Sequence, residues 1–177
     1  RVGVLQARGA KVTVLNRTPA RQHHVICLLT DGEEMGLLGA DRFLAEHPAA
    51  AEIDLCINVE ARGNRGPSLM FQTGDKNLDL IRLLAGHLER PATGSLFDAV
   101  YRRMPNDTDF TLFQRAGIRG YNFACIGNVL HYHTPDDTVA NLDLRSLQHH
   151  GDNTWQLARA IVTSPGRLDG EGSAVWF

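Results

Sequence analysis

Three short stretches hold the residues whose types suit bond-breaking chemistry. The first, Thr30-Asp31-Gly32-Glu33-Glu34-Met35-Gly36, follows an apolar run and sets two glutamates side by side between glycines that permit a tight turn. One carboxylate of such a pair can hold a metal while its neighbour takes a proton from a water. The alternative is a helix N-terminus, where acids offset the positive end of the dipole. The second, Asn58-Val59-Glu60-Ala61-Arg62-Gly63, ends an apolar run on Glu60, as a ligand or as a solvated strand end. The third, His131-Tyr132-His133-Thr134-Pro135-Asp136-Asp137-Thr138, offers imidazoles whose hydroxyl and carboxylate neighbours can fix a tautomer. Ordinary surface histidine is the competing reading there, and it is weaker for His133, which has the denser polar neighbourhood.

Taken together, oxygen and nitrogen donors without cysteine suit zinc or a similar divalent ion at a hydrolytic site, with one carboxylate left over as general base. Nucleophile schemes fare worse. Gly66-Pro67-Ser68-Leu69-Met70 is no nucleophile elbow because it ends in Met, and no phosphate-binding glycine loop or His-Glu-x-x-His helix occurs.

The elements that must position these stretches alternate between short apolar strands and helical patterns, the signature of an α/β domain. Val25 to Thr30 reads as a buried central strand stopping at Asp31-Gly32, and Leu37, Leu38, Ala40, Phe43 and Leu44 then fall at helical spacing until His47-Pro48. Strands follow at Ile53 to Val59, Ser68 to Thr73 and Tyr121 to Ile126. Helices follow at Leu78 to Leu88, Asp109 to Ala116 and Leu144 to Val162. Open α/β sheets place sites at the carboxyl ends of their strands, so Glu33, Glu34, Glu60 and His133 are expected at one end of the sheet. His23, His24, His149 and His150 are expected away from them. The first segment supports both a strand alternation and a poor helix interrupted by Gly9.

Composition narrows the classes. The chain has 177 residues, 43% of them hydrophobic, enough for one domain burying roughly 70% of its unfolded surface. Eighteen Lys and Arg against twenty Asp and Glu leave a net charge of -2, which gives no electrostatic footprint for nucleic acid. No apolar run approaches the ~18 residues of a membrane span. Cys27, Cys56 and Cys125 stand far apart in apolar runs and read as buried free thiols.

Four motifs in order carry a resemblance: Thr30 through Gly39, then Asn58-Val59-Glu60, then Asn106-Asp107-Thr108-Asp109-Phe110, then Tyr132 through Thr138. They resemble metallopeptidase family twenty-eight, which includes the bacterial leucyl aminopeptidases, and are most similar to its membrane-anchored branch, the one like endoplasmic reticulum metallopeptidase. The resemblance covers roughly Pro19 to Ala160. It implies a three-layer α/β/α sandwich with a mixed, mostly parallel sheet, two zinc ions, and hydrolysis of peptides, most simply as an aminopeptidase. It also implies Glu33 as general base, Glu34, Glu60 and His133 as metal ligands, and Asp31, Asp109, Tyr132, Thr134 and Asp137 as ligand support or pocket lining.

Two departures from the family follow. The family has a His and a bridging Asp ahead of the segment leading into Val25, and this chain shows neither, so residues 1–177 are expected to be one catalytic domain truncated at its N-terminus and also at its C-terminus. At most one zinc and weak or no activity are expected of it alone. Many relatives also carry an oxyanion-stabilising Tyr where this chain reads Met104-Pro105-Asn106. The branch implies membrane-spanning helices elsewhere in the parent protein and an extracytoplasmic setting. The same fold also resembles glutaminyl cyclases and metal-free receptor ectodomains; retention of Glu33, Glu34 and His133 argues against the latter.

Overall fold

The structure is a computed structural model that describes residues 3–7, 10–15, 25–164, 168 and 170–177. The elements are strands β1 (Gly3–Ala7), β2 (Ala10–Leu15) and β3 (Val25–Leu29), helix α1 (Leu38–Glu46), strands β4 (Leu55–Ala61) and β5 (Leu69–Thr73), and helix α2 (Leu78–His87). After these come strand β6 (Ala92–Thr93), helices α3 (Ser95–Tyr101) and α4 (Asp109–Arg115), strand β7 (Arg119–Cys125) and helix α5 (Leu144–Thr163). The chain is α/β with mixed strand pairing. It divides into two compact units, one of residues 1–56, 106–119 and 161–165, the other of residues 57–105, 120–160 and 166–177.

In the first unit β1, β2 and β3 form an antiparallel meander, with Ala7 opposite Ala10 and Leu15 opposite Val25. The segment that the sequence left open between strand and helix is therefore a hairpin. β3 lies at the outside of this meander rather than at the centre of a sheet. Its Ile26 and Leu28 pack on a core of Ala40, Phe43, Phe110, Phe113 and Ile118, while Cys27 is exposed and Leu29 is 60% exposed. The expectations of a buried central strand and a buried Cys27 are corrected accordingly. A continuous apolar run reads the same whether a strand is covered on one face or on two. α1 and α4 cover the core through Phe43 and Phe113, whose rings sit 6.3 Å apart.

In the second unit the strand order is β4-β7-β5-β6. β5 and β6 are parallel, and β5 and β7 antiparallel with a register shift between Met70 and Gln72. The pairing is therefore mixed, with antiparallel partners in the meander and where β7 returns beside β5. A ladder of side-chain amides crosses three neighbouring strands. Asn58 on β4 donates to Asn122 on β7 at 2.8 Å, and Asn122 donates to Gln72 on β5 at 3.0 Å. Asn122 is fully buried, so slipping a strand by one residue would strand these amides without partners, and the ladder specifies the register of the strand that bears Glu60.

α2 is held to β7 by the hydroxyl of Tyr121, which donates to the Leu80 carbonyl at 2.8 Å. α5 is held by its histidines. The backbone N–H of Ser68 donates to His149 Nδ1 at 3.1 Å, His149 Nε2 contacts the Arg90 carbonyl at 2.8 Å, and buried His150 bridges Ser68 Oγ at 2.8 Å and Cys125 Sγ at 2.9 Å. These two histidines have packing partners, as a place on the long helix suggests. His23 and His24 lie outside the described residues. Among the described residues no helix is long and apolar enough to cross a membrane.

Candidate active site

The turn after β3 is wound tightly enough to set its glutamates apart from the helix that follows. Gly36 and Leu37 N–H both donate to the Glu33 carbonyl, at 3.0 and 2.8 Å, and Leu38 N–H donates to the Gly32 carbonyl at 3.2 Å. Gly32, Gly36 and Leu37 all have positive φ. Gly39 lies so close to Asp31 that a Cβ there would meet the Asp31 carbonyl at 2.7 Å. Because α1 begins only at Leu38, Glu33 and Glu34 are not its first-turn acids, and that reading of the pair is removed. Both glutamates line a cleft of about 310 Å³ whose other walls include Leu37, Asp107, Leu112 and Arg115. Glu33 is half-buried, Glu34 and Asp31 exposed.

Asp109 sits at the start of α4, only 8% exposed, and its Oδ2 accepts a hydrogen bond from Thr30 Oγ1 at 2.6 Å. This bond ties α4 to the residue where the glutamate turn begins. Its other carboxylate oxygen, Oδ1, is buried with no hydrogen-bond partner among the described residues. Burial, with the Asp109 charge adding to it, pushes the Cys56 thiol up to about 12. The acid of this motif that lines the cleft is Asp107, 3.6 Å from Arg115. The sequence showed Asp107 only as part of the motif and gave the pocket role to Asp109, because two acids two positions apart at a helix start look alike until the helix phase is known.

In the second unit Glu60 lies half-buried near the end of β4, two positions beyond Asn58 and so on the same side of the strand. The loops that follow β4 and β7 are sewn together. The N–H groups of Arg62 and Gly63 both donate to the Cys125 carbonyl at 2.9 Å, and Arg65 and Gly127 exchange backbone bonds at 3.3 and 2.9 Å. Asn64, 5% exposed, completes the seam: its Oδ1 accepts from Asn128 Nδ2 at 2.9 Å, its Nδ2 faces His131 Nδ1 at 3.1 Å, and its carbonyl accepts from the Asp143 N–H at 2.9 Å. The segment from 128 to 143 therefore leaves and returns at one buried amide, in the manner of a compact Ω-loop.

That loop carries the third stretch. His133 has φ 57, a costly conformation for a residue with a Cβ and one that clusters at functional sites. Its ring stacks on Tyr132 with centroids 3.8 Å apart, and the Arg62 guanidinium lies over the Tyr132 ring at 5.6 Å. Thr134 shapes the turn: its Oγ1 donates to the His131 carbonyl at 2.8 Å and accepts the Asp136 N–H at 3.2 Å, and its carbonyl accepts the Asp137 N–H at 3.0 Å. Asn64, the residue that anchors this loop, carried no sequence signal, since its partners stand 64 and 67 positions away.

Carboxylate and imidazole are the donor types zinc takes, so the chemistry of Glu34, Glu60 and His133 suits that ion. Among the described residues, however, no three His, Cys, Asp or Glu side chains are gathered as a metal-binding group.

An α/β chain with paired glutamates in a turn after one strand, a carboxylate near the end of another and a shaped histidine loop has the features of a peptidase domain. Residues 8–158 match peptidase family M28, and the chain belongs to that family. It is 34% identical over 155 residues to endoplasmic reticulum metallopeptidase 1 of Homo sapiens, covering 85% of this chain and 17% of that protein. The Mus musculus protein of the same name is 33% identical with the same coverage. Vacuolar membrane protease of Candida tropicalis is 30% identical over 155 residues, covering 84% of this chain and 16% of that one. The chain thus spans about a sixth of the length of these relatives. No solved structure matches it.

Proposed function

We propose that this protein is a zinc-dependent peptidase that removes amino-terminal residues from peptides, with Glu33 as general base and Glu34, Glu60 and His133 as metal ligands. The observation that carries the reading is the pair Glu33 and Glu34 on the wall of an open cleft, within a chain that belongs to a peptidase family. Bound zinc would lower the pKa of its water toward neutrality and polarise the scissile carbonyl. Glu33 accepts a proton from the attacking water at a carboxylate oxygen and returns it to the leaving amine. Thr134 and Asp137 hold the His133 turn, and Asp31, Asp109 and Tyr132 flank the two stretches. In this reading residues 1–177 belong to one catalytic domain acting on peptides. Like the named relatives, which are endoplasmic reticulum or vacuolar membrane proteins, the protein works at a membrane on the extracytoplasmic side.

The test is metal dependence. Hydrolysis of an aminoacyl anilide should cease on chelation and return with zinc. Hydrolysis that survives exhaustive chelation would overturn the reading.

A further inference from the structure

Several arginines of the described residues sit in ion pairs, whereas Arg62 lies over an aromatic ring. Arg42 pairs with Glu46, Arg90 with Asp152, Arg102 with Asp98 and Asp75, Arg115 with Asp107 and Arg145 with Asp143. Arg62 is exposed and has no ion pair among the described residues. Its guanidinium rests instead on the Tyr132 ring at 5.6 Å, inside the ~6 Å reach of a cation–π contact.

This placement is held from both sides. The Arg62 backbone is fixed by its bond to the Cys125 carbonyl, with Gly63 bonded to the same oxygen. Tyr132 is fixed by its stack on His133 and by the loop that Asn64 anchors. The Arg62 guanidinium and the His133 ring thus both lie against Tyr132. A guanidinium held over a ring still has N–H groups for other partners, and its fork matches a carboxylate with two parallel hydrogen bonds.

We propose that Arg62 is a substrate-recognition residue that binds a carboxylate of the peptide beside His133. The inference rests on the peptidase reading for its substrate and adds the chemical class: peptides bearing a carboxylate, either the free C-terminus of a short peptide or an acidic side chain.

The experiment compares three probes on the full-length protein: a leucyl dipeptide acid, its C-terminal amide, and the amide of a dipeptide ending in glutamate. Hydrogen bonds to a charged group are worth roughly tenfold or more in affinity, so KM should be at least about tenfold lower for a carboxylate probe than for the plain amide. Which carboxylate probe gains identifies the source. Arg62→Ala should raise the KM of the favoured probe to that of the amide, with the loss in KM rather than kcat, and Arg62→Lys should keep part of the preference. A wild type that does not discriminate, or an Arg62→Ala variant that still does, overturns the inference. If no probe is hydrolysed the peptidase reading fails, and calorimetric titration of the same probes decides this one separately. An acid-over-amide preference lost in Arg62→Ala supports it, and equal binding refutes it.

Discussion

Replacing Gly63 by alanine places a methyl group where Gly127 has its carbonyl. The added Cβ would stand 2.1 Å from the Gly127 oxygen and 2.9 Å from its carbon, against the ~3.5 Å at which non-bonded carbon contacts become favourable. The two loops must part by about 1 Å or more. The strip that would move carries the two bonds to the Cys125 carbonyl, the pair between Arg65 and Gly127, and the Asn64 contacts with Asn128 and His131. Losing two or three of these at about 1 kcal/mol each puts the cost near ~3 kcal/mol. Gly151→Ala is the control, because that glycine lies within α5 and an added Cβ meets nothing within 4 Å; it should stabilise by about 0.5 to 1 kcal/mol. Urea unfolding of both variants gives the two numbers, with opposite signs. A Gly63→Ala protein within about 1 kcal/mol of the wild type would refute the backbone contact between the loops.

Two further outcomes follow from buried groups. Burial, aided by the charge of His149, pushes the His150 imidazole down from 6.5 to about 4. The fold then keeps it neutral while the unfolded chain takes up a proton. Stability is full above pH 6.5 and declines as pH falls toward 4, by roughly 2 kcal/mol once solvent screening is allowed for; His150→Gln should flatten that slope in urea melts between pH 7 and 4, and an unchanged slope would rule the group out. Cys27 is exposed, whereas Cys125 is buried and Cys56 is pushed up to about 12. One thiol per native chain should therefore react rapidly with a disulfide reagent at neutral pH and three in urea, and more than one fast native thiol would contradict the packing.

Helices α1, α2, α4 and α5 and strands β4, β5 and β7 were legible because their apolar spacing is local. Leu80 and Leu84 on α2, Phe110 and Phe113 on α4, and the run from Leu69 to Thr73 on β5 each mark a buried face. β6 and α3 were not, since one has two residues and the other leaves Leu96, Phe97 and Val100 on the surface, so neither shows a core-facing period. The glutamate turn was readable from its flanking glycines. The seam that anchors the His133 loop was not, because Asn64, Gly63 and Gly127 act through partners more than 60 residues distant. The same holds for the meander, where β3 has one neighbour among the described strands and exposes the side that the unbroken apolar run had suggested was covered.

The assignment of Glu33 as the proton acceptor and Glu34 as a ligand is tested most directly by measuring zinc content and turnover together in two isosteric variants of the full-length protein. Glu33→Gln keeps the shape but removes the base, so turnover should fall by at least ~10²-fold while bound zinc stays at the wild-type level. Glu34→Gln should lose zinc. A Glu33→Gln protein that loses its zinc, or one that keeps full turnover, would contradict the account.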